Sequence, residues 1–134
     1  MKYFSKAKKK LRHLLALTLM SVSAHAISAV PAAAVKVIYR VHQAAAVRDV
    51  SALEELMVPE FTWSFGGDAD AKQALAAWKR RPMAFRKLRE VTAKRCILQA
   101  DGSIECPRGA GTGYRAGFIQ TAAGWRMAYF VAGD

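Results

Sequence analysis

The chain has 134 residues, a formal net charge of +11, two cysteines and three histidines. That length holds one small domain and is too short for two. Two cysteines and so few histidines cannot furnish the ligands of a structural metal site, and a redox-active pair ordinarily has CxxC spacing, so neither chemistry is expected.

The N-terminus has the three parts of a secretory signal. "KAKKKLRH" is a basic n-region, "LLALTLMSV" is an apolar h-region of about nine residues, and Ala24-His25-Ala26 fits the small-x-small cleavage rule. Cleavage is expected after Ala26, with Ala29 and Ala34 as alternative positions. An uncleaved anchor is the competing reading, since Leu14 to Val35 contains no Lys, Arg, Asp or Glu and about 20 apolar residues can span a bilayer. Ser, Thr, His25 and Pro31 interrupt that run, which favours export to the periplasm or beyond. Residues 1–26 are thus expected to be signal peptide and residues 27–134 a single domain. The signal carries six Lys or Arg and no acid, so its removal lowers the net charge from +11 to +5. More than half of the apparent basicity belongs to the address.

In the mature part, "VKVIYRVHQAAAV" places Val35, Ile38, Val41 or His42, and Ala45 at helical spacing. "DVSALEELMVPE" predicts a short second helix that opens on a Ser51–Glu54 capping box and ends before Pro59. "FTWSF" alternates Phe61, Trp63 and Phe65 with Thr62 and Ser64, the period of a half-buried strand that Gly66-Gly67 ends. "DADAKQALAAWKRR" follows, with an acidic first turn, a basic last turn and Pro82 beyond, the charge order that a helix dipole prefers. Met83, Phe85, Leu88 and Val91 form a rough helical stripe, but residues 83–91 remain open between helix and strand.

Cys96 and Cys106 flank "ILQADGSIE". An even cysteine count in an exported chain favours a disulfide, and Asp101-Gly102 is a hairpin turn signal. A three-residue loop, Ala100 to Gly102, gives the strands the parity that sets the cysteines opposite one another. Last come two alternating, aromatic-rich strands, "GYRAGFIQT" and "GWRMAYFVAGD", joined by a turn at Ala122-Ala123-Gly124. Helices first and a meander last predict an α+β domain with N-terminal helices packed on a curved antiparallel β-sheet.

The segment "GYRAGFIQTAAGWRMAYFVAGD", with "DVSALEELMVPEFTWSFGGD" upstream, resembles uncharacterised secreted bacterial proteins. Those chains end in a Tyr-Arg-Ala-x-Phe strand and a Trp-x-Met...Phe-Val-Ala-Gly-Asp strand. Some of them carry an SH3-like segment before that signature, where this chain has only the cysteine hairpin. The order of elements also resembles the NTF2-like, or SnoaL-like, cone. That resemblance implies a sheet curled round a pocket, in which enzymes of the superfamily set an Asp–His or Asp–Arg pair.

His42 is the one histidine left after cleavage and so the candidate general acid or base, with Asp68 or Asp70 as its orienter. The competing readings are structural: a helical histidine holding its neighbours, and an aspartate capping the helix that follows. An EF-hand is excluded, because "DADAKQALAAWK" lacks the oxygen ligands and closing glutamate of that loop. Trp63, Trp78 and Tyr114 are the candidate pocket residues, against a default role in the core. If the even-numbered residues of the first terminal strand pack inward, Arg115 points outward and is no pocket anchor.

Lys79 to Arg95 holds eight basic residues and one acid. Export argues against nucleic acid as its partner and favours an anionic envelope component, with a solvated helix face as the plain alternative. "GAGTG", Gly109 to Gly113, has no Walker lysine and opens onto a strand, so it makes no phosphate loop. No cofactor is called for. The expected function is binding of a small hydrophobic ligand or of an anionic partner without catalysis. The alternative is a SnoaL-type isomerase, dehydratase or hydrolase that uses His42. Membrane contact is expected only if the signal stays attached, and self-association as a homodimer is open to such a domain.

Intact-mass spectrometry of protein recovered from the bacterial envelope tests compartment and staple together. The expected mass is that of a chain starting at Ile27, with both cysteines alkylated only after reduction. A full-length chain with two free thiols contradicts export.

Overall fold

The computed structural model describes residues 29–67 and 69–133. The proposed signal, residues 1–26, and Asp68 lie outside the described residues. Helices α1 (Ala32–Val47) and α2 (Val50–Glu55) lead into strand β1 (Met57–Thr62), followed by α3 (Ala71–Arg80) and α4 (Met83–Thr92). A short hairpin, β2 (Ile97–Leu98) and β3 (Ile104–Cys106), precedes the long one, β4 (Arg115–Thr121) and β5 (Gly124–Val131). The strand order is β1-β5-β4-β3-β2, antiparallel throughout except that β1 lies parallel to β5 at one edge. The expected α+β class is what the structure has, with a mixed sheet in place of a wholly antiparallel one.

Local chemistry sets the helix boundaries. Asp49 caps α2, its carboxylate accepting from Ala52 N–H at 3.0 Å, so the expected Ser51–Glu54 box is replaced by a cap two residues earlier. Chain reversal after α1 goes through Arg48, whose left-handed backbone (φ 55°) closes the helix through bonds to the Ala44 and Ala45 carbonyls. The buried stripe of α1 is Ala34, Val37, Ile38, Val41, Ala44 and Ala45, while Val35 is half exposed, one position off the stripe read from the sequence. Residues 83–92 are helical, and Phe85, Leu88 and Val91 are its buried face.

The first strand differs from expectation. It runs through Pro59 and stops at Thr62, so Phe61 is buried, Trp63 is half-buried and Phe65 sits exposed in the turn at Gly66 (φ 83°). Pro59 is tolerated because β1 is an edge strand, where a missing N–H costs the ladder little.

The cysteine hairpin pairs Ile97 with Glu105 and Leu98 with Ile104, which sets Cys96 opposite Cys106, and the two are joined by a disulfide. Gln99 N–H donates to Ser103 O at 2.7 Å and Gly102 N–H to Gln99 O at 3.0 Å, closing the three-residue loop expected at Ala100 to Gly102. Gly102 takes the positive φ of 85° that this loop needs. By the chain-entropy model, so short a closed loop contributes about 2–3 kcal/mol.

The sheet bends at a bulge in β5. Gly117 pairs with Tyr129 but Phe118 pairs with Met127, leaving Ala128 as the extra residue. Parity flips there: Trp125 and Met127 are buried before the bulge and Phe130 after it, while Tyr129 turns to the outer face. Tyr129 lies flat on Gly117, where a Cβ would meet the ring at 1.9 Å, so only glycine fits beneath it. Its hydroxyl donates to Glu105, tying β5 to β3 across β4. On β4 the even positions Ala116 and Phe118 are fully buried. Arg115 lies on the other face, donating to the Gly113 and Gly133 carbonyls at 3.1 and 3.0 Å.

Burial, with the bond to Glu105 acting the same way, raises the Tyr129 phenol above the ordinary tyrosine range. A folded-state pKa above the unfolded value means that this contribution is complete below about pH 10 and is lost as pH rises toward the folded value. Tyr129→Phe is therefore expected to lower the urea midpoint at neutral pH and to flatten the decline of stability above pH ~10. Parallel alkaline declines in the two proteins would sink this account.

Candidate functional site

A groove with an aromatic wall opens between the C-terminal half of α3, the start of α4 and the ends of β1 and β5. Its volume is about 560 Å3, within the usual range for small-molecule sites. Trp63, Trp78 and Tyr114, the three aromatics singled out from the sequence, all line it, together with Phe130.

Each reaches the groove for a local reason. Trp78 lies on the buried stripe of α3 with Ala71, Ala74 and Leu75. Its ring meets Phe61, Phe85 and Phe130 edge-on at 5.7, 6.0 and 5.6 Å. Those partners come from β1, α4 and β5, so Trp78 is a core residue with one edge at the groove floor. Tyr114, just before β4, stacks on Phe130 at 5.5 Å and has the Lys87 ammonium 5.9 Å from its ring centre. Trp63 follows the last residue of β1 and lines the groove half-buried.

The polar part of the wall is cationic. Arg80 and Arg81, at the end of α3, line the groove, and no Asp, Glu or His does among the described residues. The salt bridges of the described residues are Lys72–Glu54 and Lys87–Glu90, so neither arginine pairs with a described acid. Pro82 places them there by ending α3 and forcing the turn into α4. An apolar floor, aromatic walls and two guanidinium groups suit a flat apolar molecule that carries a negative charge.

His42 is elsewhere. It lies on α1 against the last turn of α4, with Nδ1 at 3.0 Å from the Arg89 carbonyl and 3.2 Å from Thr92 Oγ1. The Thr92 hydroxyl donates to the Leu88 carbonyl at 2.7 Å. A carbonyl can only accept, so Nδ1 carries the imidazole proton. His42 is thus a second donor to the Arg89 carbonyl, which also accepts from Ala93 N–H at 3.2 Å, and it ties α1 to the end of α4. It lines a second groove of about 520 Å3 with Val35, Tyr39, Thr92 and Cys96.

Asp70 caps α3, accepting from Gln73 N–H at 2.8 Å, and borders a third hollow with Glu54 and Lys72. His42 and Asp70 therefore line separate hollows, and neither borders the aromatic groove. Among the described residues no group of three or more His, Cys, Asp or Glu gathers to hold a metal, and no helix is long and apolar enough to cross a membrane. Sequence reasoning missed Arg80, Arg81 and Phe130 as groove residues. The signal available for the arginines was the Arg-Arg-Pro stop of α3.

No protein-family model matches this chain, and no curated protein does. Among solved structures, the chain is similar to an NTF2-like protein with a cystatin-like fold from Novosphingobium aromaticivorans. The two are 24% identical over 72% of this chain and 75% of the other, with a TM-score of 0.41.

Trp78→Ala is expected to cost about 3–5 kcal/mol, because it opens a cavity among three aromatic partners. Trp63→Ala, at a half-buried position, should cost clearly less. Urea denaturation of both variants checks this, and equal losses would remove the distinction between floor and wall.

Proposed function

We propose that the protein is a small exported domain of the NTF2-like kind that binds an apolar, negatively charged small molecule in the aromatic groove and does not transform it. The observation that carries this reading is the convergence of Trp63, Trp78 and Tyr114 on one groove whose charged lining is Arg80 and Arg81. Helices on one face of a bent sheet, in the order found, support the NTF2-like assignment. The disulfide supports export, since such bonds persist in oxidising compartments.

Binding without catalysis is favoured over a SnoaL-type reaction by the placement of titratable groups. Acid–base catalysis needs a base within hydrogen-bond reach of the reacting atom and a partner that orients it. His42 spends its Nδ1 proton on a helix end, and Asp70 spends its carboxylate on a helix start.

Titration with an anilinonaphthalene sulfonate, an aromatic anion, tests the reading. Saturable binding with quenching of tryptophan emission is expected. Tyr114→Ala and Arg81→Gln should each weaken it about tenfold, a change of roughly 1.4 kcal/mol. The arginine variant should also lose most of the salt dependence. Unchanged affinity in both variants would place the probe outside this groove.

A further inference from the structure

A second cationic feature lies on another part of the surface. At the end of the α1–α4 seam, Arg48, Arg86 and Arg89 line one small hollow of about 150 Å3, over a floor that includes Ala45 and Phe85. That floor is buried, and the three arginines are exposed. None of the three takes part in a salt bridge, and no acid lines the hollow among the described residues.

The three arginines that line this hollow carry like charges, whose mutual repulsion an apolar floor screens less than open water would. An anion seated between them relieves that repulsion, and the planar fork of arginine matches the oxygens of phosphate in pairs.

Two structural devices hold the arginines there. Arg48 is the described non-glycine residue with positive φ, at a helix end where glycine is the usual occupant. The Arg89 backbone is fixed to α1 through its carbonyl, which accepts from His42.

We propose that Arg48, Arg86 and Arg89 form an oxyanion site that takes a phosphate group, separate from the aromatic groove. The phosphate can belong to a soluble phosphate compound or to a phospholipid headgroup, and the hollow accepts the same tetrahedral chemistry from either. The site explains part of the basic run from Lys79 to Arg95 and recruits a cation from outside it, Arg48.

Calorimetric titration of the protein with inorganic phosphate, in a zwitterionic buffer at constant low ionic strength, is the test. Binding is expected, with Arg48→Gly and Arg86→Gln each weakening it about tenfold. Arg48→Gly gives the left-handed backbone its favoured residue, so loss of binding there cannot be laid to loss of fold. Lys36→Gln, an exposed change of the same charge on α1, should leave the affinity unaltered.

Sedimentation with phosphatidylcholine vesicles, with and without phosphatidylglycerol, separates the sources. Capture by anionic vesicles that is lost in both arginine variants supports the site with a lipid headgroup as its ligand. Phosphate binding without vesicle capture supports it with a soluble ligand. Neither kind of binding, or equal weakening by Lys36→Gln, overturns the proposal.

Discussion

The indole of Trp78 is the contact on which the arrangement depends. It stands on α3 and meets aromatic rings from β1, α4 and β5, so three consecutive elements and the distant last strand are fastened at one side chain. Edge-to-face contacts set positive ring edges against negative faces and favour one orientation over merely filled space. Because the same ring floors the groove, the shape of the candidate site follows from core packing. A flexible floor would surrender the preorganisation that makes such a groove useful.

A second constraint works from the other side of the sheet. The bulge at Ala128 turns Tyr129 outward and Phe130 inward, and Phe130 then reaches both Trp78 and Tyr114. Without the extra residue, β5 would carry the opposite parity through its last residues. Gly117 permits the Tyr129 ring to lie flat, and Glu105 receives its hydroxyl. One inserted residue thus shapes both faces.

Charge is distributed with similar consequence. Described cations outnumber the acids that could meet them, and the two salt bridges present are surface pairs of small energetic weight. Five of the described arginines lie in two places, Arg80 and Arg81 beside the aromatic groove and Arg48, Arg86 and Arg89 at the α1–α4 seam. The first pair meets an aromatic wall and the second group a small hollow, so the same charge serves two kinds of recognition.

Features carried by neighbours along the chain were legible in the sequence. The Asp70 cap, the stop at Pro82 and the three-residue loop that sets Cys96 against Cys106 rest on backbone geometry within a few residues. The terminal hairpin was legible too, since alternation over seven or eight residues is a strong local signal. The first strand was misplaced because a proline ordinarily rules out a strand, and only the tertiary structure makes β1 an edge. The α2 cap moved because Asp49 and Ser51 are both good caps, and it is Asp49 that accepts from Ala52 N–H.

By itself, then, the sequence determined the α+β class, most of the helix boundaries and the disulfide, all consequences of periodicity and turn chemistry. It also supplied Trp63, Trp78 and Tyr114 as candidates without showing that they meet. The tertiary structure alone decided that they share one groove, that His42 and Asp70 do not share one, and that the arginine capping α1 and two arginines of α4 line a single hollow. Such juxtapositions depend on how helices pack on a sheet and where a bulge reverses its faces, and those distances are not encoded by any one segment of the chain.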